Sequence, residues 1–157
     1  MIKEAYVSFE IAKLLKENGF NEYCWKLYEL GDLNKPILLN GFELDSDSKF
    51  WNNKYLELYK KEHSYINDIC SVPTHQLAMA WLREKNISIE LSVVRSHYWV
   101  YTIYEILNNK VKELYNDGDF DSYEDAIEAA LKYYLENLFD YGSTKEDLYS
   151  CERRQST

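Results

Sequence analysis

The sequence predicts an α+β fold, an antiparallel sheet of about four strands with three main helices packed largely on one face, in the order α-β-β-excursion-α-β-β-α. Three observations predict it. Apolar residues recur at helical spacing in three well-bounded stretches, they alternate strictly from Ile87 to Val93, and turn residues separate these segments. A length of 157 residues suits one core, which is expected over residues 1–142, with a tail at 143–157 that has no apolar period.

The first helix is expected from Ser8 to Asn18. Ser8 can cap the opening amides, and Ile11, Leu14, Leu15 and Asn18 share a face. Gly19 ends it, with Phe20 folding back on Leu15. Tyr23 to Leu30 reads as a strand, Gly31-Asp32-Leu33-Asn34 as a turn, and Ile37 to Leu39 as a short return strand for which Pro36 suits a beginning or an edge. Residues 41–68 are a polar excursion in which Tyr55, Leu58 and Tyr59 fit one face of a short helix carrying Lys60 and Lys61 on the other.

Pro73-Thr74 opens the second helix, which runs to about Lys85 with Leu77, Ala78, Trp81 and Leu82 as its buried stripe and Asn86 as its stop. Ile87, Ile89, Leu91 and Val93 then face one way along a strand, and Ser88, Glu90 and Ser92 the other. Arg95-Ser96 connects it to a partner strand from His97 to Tyr104. Tyr98, Val100, Thr102 and Tyr104 share one of its faces, Trp99, Tyr101 and Ile103 the opposite one, so both faces call for cover. A short helix is expected near Asn108 to Tyr115, then an acidic loop, then a final helix capped by Ser122. Ile127, Ala130, Leu131, Tyr134, Leu135 and Leu138 line one side of that helix, and Glu128, Lys132 and Glu136 form a charge ladder on the other. The order hints at two helix-plus-hairpin units and a closing helix.

The net charge of −9 sets a field that repels phosphate backbones and anionic membranes, so nucleic-acid binding through a basic surface and membrane association are not expected. The N-terminal residues carry no signal-like apolar run, and a cytoplasmic location is expected. Cys24, Cys70 and Cys151 are widely spaced and odd in number, which fits reduced thiols.

Two places carry candidate chemistry. Asp117, Asp119, Asp121 and Glu128 occupy positions one, three, five and twelve of a calcium-loop spacing, but Ser122 stands where the turn needs glycine, so the plainer reading is acidic residues gathered at a helix N-terminus. His63, His75 and His97 have no zinc-site spacing, and the few glycines form no phosphate-binding loop; no cofactor is expected. The second place is the aromatic run around Trp99, Tyr101 and Tyr98, with Tyr28 from the earlier strand. In a chain with 15 tyrosines these rings are either sheet core or an interaction surface for a protein partner or a second copy.

The blocks Ser8 to Phe20 (SFEIAKLLKENGF), Pro73 to Glu84 (PTHQLAMAWLRE) and Tyr123 to Leu138 resemble a set of small uncharacterised proteins of gut-dwelling anaerobic bacteria and their phages or prophages. The resemblance implies a mobile-element setting and a cytoplasmic accessory role, and it carries over no functional residue. The function expected is therefore a non-enzymatic protein-binding accessory protein acting on a host factor. The alternative is a small-ligand or nucleotide-binding protein or minor enzyme with its site between sheet and excursion.

Overall fold

The computed structural model describes residues 4–40, 51–94 and 97–139. The fold is α+β, and the described residues form six strands in two three-stranded antiparallel sheets and four α-helices. The expected tail at 143–157, the first part of the excursion and the Arg95-Ser96 connection lie outside the described residues.

Helix α1 (Phe9–Glu17) forms as its end signals dictate. Ser8 Oγ accepts from the Ile11 amide at 3.4 Å, and Ile11, Ala12 and Leu15 are buried. Asn18 caps the C-terminus, Gly19 follows at φ 89°, and the Phe20 and Gly19 amides donate to the Leu15 and Lys16 carbonyls at 2.8 and 3.1 Å. That pair of bonds closes the helix with a left-handed residue, a role that favours glycine. Strand β1 (Lys26–Gly31) then pairs with β2 (Pro36–Asn40) across a turn in which Asn34 takes φ 52°.

The excursion is helical from Trp51 to Leu56, a π-helical turn, and continues as α2 (Glu57–Glu62). Tyr55 and Tyr59 pack on the core as expected, whereas Leu58 is 51% exposed and Leu56 takes the buried place. Its last residues and those after it form a strand that the sequence pattern hides, β3 (Ile66–Val72), which pairs antiparallel with β1, so the sheet order is β2-β1-β3. Ile69, Cys70, Ser71 and Val72 are all buried, so β3 shows no alternation to read.

Helix α3 (His75–Glu84) starts one residue later than a proline in its first turn would give, because Thr74 is the cap and its Oγ1 accepts from the Leu77 amide at 3.1 Å. Asn86 ends it at φ 63°. Strands β4 (Ile87–Val94) and β5 (Tyr98–Leu107) form the expected hairpin. The helix expected near Asn108 to Tyr115 is instead strand β6 (Lys110–Phe120), reached through Asn108-Asn109 at φ 51° and 61°, a two-residue hairpin turn that asparagine tolerates. Bulges break the pairing register of β6, so no period of two marks this segment as a strand in the sequence.

The second sheet is thus a β4-β5-β6 meander, while in the first sheet the earliest strand is central, so the two units are not copies of one motif. Helix α4 (Tyr123–Asn137) packs on all three strands of the meander and against α1 and α3, and α1 packs on β3. The helices therefore join the two sheets, and one apolar cluster runs from Ile11 and Val72 through Leu82 and Tyr101 to Leu131. No described helix is long and apolar enough to cross a membrane.

Candidate functional site

Strand β5 divides its side chains cleanly between two environments. Tyr101 is 2% exposed and lies against Tyr115 and Phe120, and Trp99 meets Tyr123 of α4 edge to face at 5.1 Å. Burial, reinforced by the Asp117 carboxylate, pushes the Tyr101 phenol well up. These two rings belong to the inner face. Tyr28 is half-buried on the other sheet, its edge against Phe9 at 5.6 Å and its hydroxyl donating to the Val7 carbonyl at 3.5 Å. Of the four rings expected to form one surface, only Tyr98, 46% exposed, points outward from the meander.

The outward face is built by alternation around it. Val100, Thr102, Tyr104 and Ile106 continue the β5 column, Val94, Ser92, Glu90 and Ser88 stand beside it on β4, and Asn116, Glu113 and Val111 on β6. Val111 is 65% exposed. Gly118 lies against this column, where a Cβ would come within 2.6 Å of Val100 Cγ1.

The acidic spacing resolves differently. Asp117 and Asp119 lie on β6, with Asp117 Oδ1 accepting from the Gly118 amide at 2.8 Å, and Ser122 Oγ caps α4 through the Asp125 amide at 3.0 Å. Among the described residues no three His, Cys, Asp or Glu side chains are placed to share a metal ion. Glu128 is turned away from the loop toward α1 and α3. It also leaves the expected charge ladder, while Lys132 reaches Glu10 of α1 at 2.6 Å and still feels the Glu136 carboxylate one turn on.

Glu128 instead centres a polar cluster that joins three helices. Its Oε1 accepts from His75 Nε2 at 2.8 Å and from the Ser8 amide at 3.0 Å, and its Oε2 from Ser8 Oγ at 2.6 Å. Burial alone would raise this carboxyl, yet the hydrogen bonds from His75 and Ser8 outweigh it and hold it below the usual carboxylate range. His75 is 5% exposed, and its Nδ1 is buried without a partner among the described residues. The carboxylate stands between serine and histidine, so the imidazole does not reach the hydroxyl, and the order is that of a clasp rather than of a nucleophile-histidine-acid triad. The cue in sequence is slight: Glu128 projects at the border of the α4 stripe, beside Leu135.

Two open recesses lie among the described residues. One, of about 220 Å³, is lined by Tyr6, Tyr23, Trp25 and neighbours; the other, of about 240 Å³, lies between β6 and α4 at Leu114 and Tyr134. Cys24 and Cys70 are free and buried, and burial pushes both thiols up to about 12. Compared with protein-family models, curated proteins and solved structures, the chain matches none.

Proposed function

We propose that this chain is a non-enzymatic accessory protein that binds a foreign protein through the outward face of the β4-β5-β6 meander. The observation that carries the reading is the uncovered β5 column, where Tyr98 and Ile106 are 46% and 42% exposed and Val94 and Val111 flank them. Among the described residues α4 and α3 are the helices that pack on this sheet, and α4 meets its inner face through Tyr123 on Trp99 and Tyr133 on Tyr115. Tyrosines give large contact area at low entropic cost and are enriched among the residues that dominate interaction surfaces.

Glu90 and Glu113 stand on the same face, and the chain carries −9, so the partner fits best as an apolar patch rimmed by lysine and arginine. Two copies meeting face to face would bring these carboxylates together. Both recesses are smaller than the roughly 300–1,000 Å³ usual for small-molecule sites, which favours this reading over a nucleotide or substrate site. The resemblance to proteins of gut anaerobes and their phages supplies the setting, in which the partner is a host factor.

The test is a capture experiment with the wild-type chain and the Tyr98→Ser/Tyr104→Ser variant, beside sedimentation velocity. The reading expects one basic-surfaced protein retained by the wild type and lost from the variant, at an unchanged melting temperature. Retention by both, or a concentration-dependent dimer that the substitutions dissolve, would refute it.

A further inference from the structure

The first sheet keeps one edge open. Strand β2 is its outer strand in the order β2-β1-β3, and Ile37, Leu38 and Leu39 are 55%, 43% and 36% exposed. Three apolar side chains in a row, on an edge strand without a charged residue, form a template for another strand. We propose that β2 pairs antiparallel with β2 of a second copy of this chain, centred on Leu38, to make a closed dimer with one continuous sheet. The seam shares no residue with the outward face of the meander and does not rest on it.

The pairing inside the sheet fixes which backbone groups this edge offers. In an antiparallel ladder successive residues bond alternately to one side and the other. The Ile69 carbonyl and the Ser71 amide point away from β1, to Lys16 Nζ and Asn52 Oδ1, so Cys70 between them bonds Tyr28, and Leu27 and Glu29 bond Leu39 and Ile37. Pro36, Leu38 and Asn40 therefore turn outward, and the ladder to β1 loses nothing by the missing amide hydrogen of Pro36. Among the described residues no backbone hydrogen bond reaches these outward groups.

A second β2 answers them in kind. Centred on Leu38, the two Leu38 residues exchange amide and carbonyl, and each Asn40 amide reaches the Pro36 carbonyl of the other copy. Every outward donor is then met, and only the Asn40 carbonyls stay with water at the ends of the seam. Alternation sets Ile37 of each copy beside Leu39 of the other on one face and the two Leu38 side chains together on the opposite face. Charge selects the same edge. Copies that each carry −9 repel one another, and the meander face would set Glu90 and Glu113 against their counterparts, whereas Pro36 to Asn40 bring no carboxylate to the seam. The far edge of the sheet is occupied by Lys16 and Asn52, so pairing at β2 stops at two copies.

The test is sedimentation equilibrium of the full chain from about ten micromolar to about one millimolar, since a seam this short binds weakly, with a dissociation constant on the order of 100 µM. Leu38→Lys and Leu38→Glu each place like charges side by side at the axis and should weaken the dimer by roughly tenfold or more, and an equimolar mixture of the two should recover it as a heterodimer. A melting curve checks that each variant keeps the fold. In the wild type the Leu38 amide should exchange more slowly with solvent as concentration rises, while the Ile37 amide, bonded to β1, does not change. The Tyr98→Ser/Tyr104→Ser variant should dimerise as the wild type does, which separates this seam from the meander surface. A single-chain mass at every concentration, a dimer indifferent to charge at position 38, a mixture that stays monomeric, or assembly beyond two copies overturns the proposal.

Discussion

Removing the carboxylate at Glu128 should cost far more than its place on a charged helix suggests. In Glu128→Ala the His75 ring, 5% exposed, loses the acceptor 2.8 Å from Nε2, and its Nδ1 already lacks a partner among the described residues. A buried donor left unsatisfied costs about 1–3 kcal/mol. The two bonds to Ser8 lie at an exposed cap where water can replace them, and they add about 1 kcal/mol. The loss should total about 2–4 kcal/mol, or roughly 5–15 °C in melting temperature. Glu128→Gln isolates the cause. Its amide oxygen can still accept from His75 and the Ser8 amide, and its NH₂ can donate to Ser8 Oγ, so it should cost under about 1 kcal/mol near neutral pH. The sign of the pH dependence follows from the lowered carboxyl. Its stabilisation is fully present above the usual value of 4.5 and is lost as pH falls through the lower folded value, so the advantage of wild type over Glu128→Gln should shrink in that window. Urea unfolding read by tryptophan fluorescence at pH 7 and at stepwise lower pH measures both effects. An alanine variant within about 0.5 kcal/mol of wild type would show that the clasp does not hold the helices together.

Asn52→Ala should destabilise by about 2–5 kcal/mol, since this fully buried side chain donates to the Phe20 carbonyl at 2.7 Å and accepts from the Ser71 amide at 2.9 Å; urea unfolding measures it. Gly118→Ala should cost about 1–3 kcal/mol through its collision with Val100, and adding Val100→Ala should recover much of the loss, as a double-mutant cycle would show. Cys24 and Cys70, with thiols near 12, should hold about one part in ten thousand as thiolate at pH 8. Iodoacetamide should therefore leave both peptides unmodified by mass spectrometry until the chain is unfolded, and reductant should not shift the melting temperature of fresh protein.

The sequence makes an element legible where its ends and its period agree. Helices α1 and α4 announce themselves through Ser8, Gly19 and Ser122, and β4 through its alternation, because each such cue acts within a few residues. Strand β3 is buried on both faces and loses its period, and β6 is bulged and loses it too, so the count rises from four strands to six and one sheet becomes two. The facing of β5 is equally local, and the split between Tyr98 and Tyr101 follows from it. Which face receives helices is decided by α4, and the clasp joins residues 53 and 120 positions apart, which no short-range pattern encodes.

The way the outer side of β3 is closed bears on how the chain behaves when crowded. Ile69 and Ser71 turn backbone groups away from β1, and these do not stay open: the Ile69 carbonyl accepts from Lys16 Nζ at 2.7 Å, and the Ser71 amide donates to Asn52. A strand this apolar with bare backbone groups is a template on which another chain can add. One lysine and one asparagine thus act as stoppers against strand-by-strand growth. A variant lacking them should fail as fibrous aggregate before it fails as an unfolded monomer, with thioflavin fluorescence rising below the midpoint of its loss of helical circular dichroism.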